Sequence, residues 1–164
     1  MLKEPLRILG VNPGTRYLGL AVFQDWTLLE WRICTFAGEW SAKKLNRIVQ
    51  CIKEHIDLHC INMVVMKKHH SAHSSPQIEV INSKIRNLAR KKGIKTYQPS
   101  IKEVEKIILQ GGRRNKMTLA EKIVDDYPWL NHDWSEERLH KNPYLLRSIE
   151  AVGAAAACFR KYQG

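Results

Sequence analysis

Short apolar runs open the chain. Leu6 to Val11 is such a run, and Asn12-Pro13-Gly14 closes it with turn chemistry, which predicts a buried strand. Tyr17 to Phe23, rich in apolar and aromatic residues, predicts a second strand. Gln24-Asp25 turns into a third, Thr27 to Phe36. Three strands joined by short turns predict an antiparallel meander. The period then changes. Leu45, Ile48, Val49, Ile52 and Ile56 share one face of a helix. Cys60 to Met66 predicts a central strand, and Lys67 to Pro76 a polar loop. Ile78, Ile81, Ile85 and Leu88 mark a second amphipathic helix, closed by Gly93. Ile94 to Tyr97 predicts a strand stopped by Pro99. Short helices are predicted around Val104 to Ile108 and Leu119 to Val124, and Gly111-Gly112 separates them. Residues 127–141 read as irregular, with one short helix after Asp133 on the capping-box spacing to Glu136. Asn142-Pro143 starts a last helix, whose face Leu146, Ile149, Val152, Gly153 and Ala156 is small enough to pack closely on a sheet. A meander followed by strand–helix alternation predicts an α/β fold, a mixed sheet flanked by helices.

The length of 164 residues fits a single domain spanning 1–164. No apolar run reaches the ~20 residues of a membrane span, so no membrane partner is expected from the helices. Residues Met1 to Pro5 lack the basic-then-apolar pattern of a signal peptide, and the expectation is a cytoplasmic or nucleoid-associated protein that is not secreted. The four cysteines, at 34, 51, 60 and 158, contain no C-x-x-C pair and read as buried free thiols in a reducing compartment. Trp26 and Trp31 read as strand residues. Trp129 and Trp134 anchor the irregular stretch on the core, the alternative being a partner interface.

Charge changes the picture more. The formal net charge is +11, which points to a polyanion, nucleic acid first. Between Lys84 and Lys122 there are twelve Lys and Arg against three Glu. That imbalance favours phosphate contact over a merely solvated helix face. Arg113 and Arg114 follow Gly111-Gly112 on a loop able to track a backbone, and Lys67, Lys68 and His69 follow the central strand directly. His69, His70 and His73 do not make a zinc site, because Ser74-Ser75-Pro76 argues against the helix that would converge them.

Ile8 to Arg16, with its Asn-Pro-Gly-Thr, resembles the opening strand of RuvC-type Holliday-junction resolvases, which run into Asp-Pro-Gly-Thr. Ile61 to Lys68 is similar to the strand carrying the family's glutamate. Lys102 to Lys116 is similar to its helix–loop segment, and Arg147 to Ala157 to its closing Asp-Ala-Ala-Asp-Ala helix. The resemblance spans about residues 6–160 and implies a ribonuclease-H-like fold. It also implies that Lys116 matches a phosphate-contacting lysine, that His69 takes the place of a base-stacking aromatic, and that the chain forms a homodimer.

The departures decide the function expected. The family's carboxylates converge on divalent metal, yet its four acid positions fall here at Asn12, Met66, Arg147 and Glu150, which together carry no net charge. Magnesium wants anionic oxygens, and a thioether and a guanidinium supply none. The reading is a nucleic-acid-binding, catalytically inactive relative with no metal or other cofactor. Its expected partner is DNA rather than RNA, and branched DNA is a candidate. The nucleic-acid contacts are assigned to Lys67, Lys68, His69, Arg113, Arg114 and Lys116. One alternative is a magnesium- or manganese-dependent, structure-selective endonuclease whose site is rebuilt with Asp25 or Glu79. Another is a protein-interaction scaffold.

Overall fold

A computed structural model describes residues 3–69, 75–132, 135 and 146–163. The expectations at Trp134, at His70, His73 and Ser74, for the helix after Asp133 and for the Asn142-Pro143 start lie outside the described residues.

The meander forms as predicted, with β1 (Arg7–Asn12), β2 (Tyr17–Gln24) and β3 (Thr27–Thr35) antiparallel to one another. Helix α1 (Ala42–Leu58) returns the chain to β4 (Met63–Met66), which lies parallel to β1. Helix α2 (Pro76–Lys91) leads to β5 (Lys95–Tyr97), parallel to β4. Then follow α3 (Ile101–Ile108), α4 (Lys116–Asp126), a 3₁₀ turn at Pro128–Leu130 and α5 (Leu146–Gln163). The sheet order is β3-β2-β1-β4-β5. This is the mixed sheet with flanking helices of a ribonuclease-H-like α/β fold. Among the described residues no helix is long and apolar enough to cross a membrane.

Local chemistry places the ends of these elements. Ser41, Ser75, Ser100 and Asn115 each accept a backbone N–H three residues on, starting α1, α2, α3 and α4. Strand β4 starts three residues later than the apolar run suggests. The chain leaves α1 through a left-handed Cys60 (φ +51°), and Asn62 is tied to the meander by accepting from Arg7 N at 2.9 Å.

Alternation along the strands builds two cores. Leu9, Val11, Val64 and Met66 face α1 and α2. Ile8, Met63 and Val65 face α3, α4 and α5. On that second side α5 crosses β1 and β2 almost backbone to backbone. A Cβ on Gly10 would stand 2.4 Å from the carbonyl oxygen of Ala151, and one on Gly19 2.3 Å from that of Arg147.

Two side-chain expectations change. Only Cys158 is a buried thiol. Cys60 is exposed, and Cys34 and Cys51 are half-buried. Trp26 and Trp129 flank the buried Tyr127 at ring distances of 5.6 and 5.9 Å but keep large exposed faces, because Tyr127 and Phe23 already fill the core beneath them.

Candidate functional site

Strand β1 ends at Asn12, whose side chain points to the α5 side of the sheet and is buried. The parallel register pairs Val11 with Met66, so the neighbour of Asn12 on β4 is the next residue, Lys67. Lys67 N accordingly donates to Val11 O at 2.9 Å. Met66 packs into the opposite core, against α1 and α2. The expectation that Met66 lines the pocket is therefore corrected. Side chains alternate along a strand, and the residue facing Asn12 and α5 is Lys67.

Helix α5 brings Arg147 and Glu150 over this end of the sheet. Asn12 Nδ2 donates to Glu150 Oε2 at 2.9 Å and to Arg147 O at 3.4 Å. The Lys67 ammonium donates to the same Glu150 Oε2. From the start of α4, the Lys116 ammonium reaches Glu150 Oε1 at 3.1 Å. The Arg147 guanidinium lies over Gly14 and donates to Tyr17 O at 3.4 Å. Burial alone would raise the Glu150 pKa, but Lys67 and then Lys116 outweigh it and hold the carboxyl below its ordinary value.

His69, two residues beyond Lys67, completes the cluster. Burial first, then the Lys67 and Arg147 charges, pull its imidazole down to about 4, so it is neutral at pH 7. Two ammoniums and a buried amide thus converge on one carboxylate. Arg113 and Arg114 stand outside this cluster, exposed ahead of the Asn115 cap of α4. Lys68 is exposed where the chain bridges to Ser100.

The divalent cation implied by the fold family does not suit this donor set. Both Glu150 oxygens already accept from Lys67, Lys116 and Asn12. Asn12 keeps one neutral acceptor, Oδ1, buried without a hydrogen-bond partner. A hard cation needs several anionic oxygens, and here ammonium groups stand in their place. Among the described residues no group of His, Cys, Asp and Glu is arranged to hold a metal ion. Asp25, one candidate for rebuilding such a site, accepts from Leu6 N at 2.9 Å at the far end of β1. Five strand steps, roughly 16 Å, separate that end from Asn12. Glu79 lies at the near end, where its charge acts on His69.

The pairing of Lys67 and Lys116 with Glu150 escaped the sequence reading. The one local signal was Lys67, the first polar residue after β4, and its partner on α5 is set by packing alone.

No protein-family model matches the chain, and no curated protein sequence does. Solved structures do match it. The RuvC structure of Thermus thermophilus superposes at a TM-score of 0.77 with 16% identity, covering 97% of each chain. The same organism's RuvC in complex with a Holliday junction substrate gives 0.75 and 15%, again over 97% of each. The Fowlpox virus resolvase, solved with its substrate Holliday junction DNA, gives 0.60 and 12% over 97% of this chain and 100% of its own. The chain has the fold of RuvC-type resolvases.

Proposed function

We propose that this chain binds nucleic acid, DNA before RNA and branched DNA in particular, without cutting it. The likeness in fold to resolvases solved on Holliday junctions supports the partner, as does the net charge of +11. One observation carries the loss of cleavage: both oxygens of Glu150 are engaged by the Lys67 and Lys116 ammoniums and the Asn12 amide. In a metal-dependent nuclease the ion activates water and steadies the leaving oxygen. Here exposed basic side chains, Lys68, Arg113, Arg114 and Lys116, hold backbone phosphate electrostatically, a role that needs no ion. Lys67, Lys68, His69, Arg113, Arg114 and Lys116 form the proposed contact surface, with the neutral His69 available for stacking. The homodimer implied by the motif resemblance, and a location in the cytoplasm or on the nucleoid, belong to this proposal.

The test uses labelled four-way junctions of DNA, and of RNA for comparison. Binding is expected at low salt, undiminished by EDTA, with no product after incubation in magnesium or manganese. Cleavage that disappears in Glu150→Ala would overturn the reading. Absence of binding at low salt would leave the protein-interaction scaffold in its place.

A further inference from the structure

Away from that site, β3 and α1 bring two thiols together. The pairing of β2 with β3 sets Val22 opposite Glu30, Leu20 opposite Arg32 and Leu18 opposite Cys34, which puts all three β3 residues on the α1 side of this edge strand. Cys51 of α1 donates to Cys34 Sγ at 3.4 Å. Neither sulfur is sealed in the core: both residues are half-buried, and a shallow groove of about 690 Å³, lined by Phe36, Arg47 and Gln50 among others, opens onto Cys51.

The surroundings make the pair unequal. Glu30, on β3, pairs with Arg32 Nε at 2.7 Å and with His59 at 2.9 Å, and lies 3.6 Å from His55. His55 Nδ1 is 2.8 Å from the carbonyl oxygen of Cys51, so that nitrogen is the donor. The hydrogen bond from Cys51 pulls the Cys34 thiol down to about 6. His55 and Arg32 add to this, and burial and Glu30 oppose it. Cys51 is pushed up by the same hydrogen bond, by burial, by the Cys34 charge and by Glu54. One sulfur is set up as nucleophile and the other keeps its proton.

We propose that Cys34 and Cys51 are a peroxide-reactive thiol pair, with Cys34 the attacking sulfur and Cys51 the resolving one. The Cys34 thiolate attacks one oxygen of hydrogen peroxide. The O–O bond breaks, hydroxide leaves, and Cys34 becomes a sulfenic acid. Cys51, giving up its proton, attacks the Cys34 sulfur. The S–O bond breaks, water leaves, and a disulfide joins β3 to α1. Two thiols are oxidised and one peroxide is reduced to two waters. The sulfurs must close by roughly 1.3 Å to reach bonding distance. In a reducing compartment, thiol exchange returns the pair to dithiol.

The test takes the reduced full-length chain at pH 7 and adds one equivalent of hydrogen peroxide, followed by peptide mass mapping. The expected product is a Cys34–Cys51 linked peptide lighter by two hydrogens, with the exposed Cys60 and buried Cys158 still reduced. In Cys51→Ser, dimedone is expected to trap the sulfenic acid on Cys34. In the wild type, alkylation of Cys34 by iodoacetamide is expected to be nearly level from pH 7 to 8.5 and to drop to about half near pH 6. Oxidation of Cys34 no faster than that of Cys60, or linkage only between chains, would overturn the proposal. The wild-type mapping decides this even if the variant does not fold.

Discussion

Burying a carboxylate ordinarily makes it a weaker acid, yet Glu150 is a stronger one. Its side chain is 9% exposed, and that of its partner Lys67 is 16%. Removing Lys67 leaves this buried charge with only the exposed Lys116 and the Asn12 amide. Lys67→Ala is therefore expected to lose about 3 kcal/mol of stability, read from urea unfolding. Lys116 is 63% exposed and touches the same carboxylate through a better-hydrated ammonium. Lys116→Ala should cost under about 1 kcal/mol. The pH dependence has a definite sign. A carboxyl with a depressed folded pKa contributes stability that is fully present above its unfolded value, near 4.5, and is lost as pH falls through the folded value. Glu150→Gln is expected to flatten this part of the acid limb, seen by comparing urea midpoints at pH 7 and pH 3. His69, whose folded value is also depressed, acts in the same direction. Between about pH 6.5 and 4 the unfolded chain takes up the proton first, so stability declines through that window on acidification.

At the level of elements, the position of α5 makes the site. Glu150 reaches Asn12 and both lysines only because α5 lies against the backbone of β1 and β2 at Gly10 and Gly19. An added methyl there meets a helix carbonyl, which cannot rotate aside as a flexible side chain would. Gly10→Ala and Gly19→Ala are each expected to cost about 2 kcal/mol or more, measured by urea unfolding. The type and order of most elements were readable beforehand, because apolar periods and glycine ends are local signals. The start of β4 was not, since it depends on Asn62 capping Arg7, a residue 55 positions away.

Across the whole molecule, the basic residues between Lys84 and Lys122 are spread over α2, β5, α3 and the approach to α4, and most are exposed. A polyanion held by such a surface releases counterions, and affinity then falls with salt in proportion to the phosphates neutralised. Replacing Arg113, Arg114 and Lys116 with alanine is expected to reduce the slope of log affinity against log salt by about 2–3 on duplex arms. An unchanged slope would move the contact surface elsewhere on the chain.

The sequence alone settled the meander, the order of strands and helices, the resemblance in fold and the shortage of carboxylates at the opening strand and closing helix. These follow from local periodicity and from the identity of single residues. It did not settle which residue of β4 faces Asn12, because a shift of one position reverses the side of the sheet. Only the parallel register turned Met66 into the core and Lys67 toward Glu150. Nor could it pair Lys116 with Glu150 or Cys34 with Cys51. Those contacts join separate elements, and their distances are set by how helices pack on the sheet, which no stretch of neighbouring residues encodes by itself.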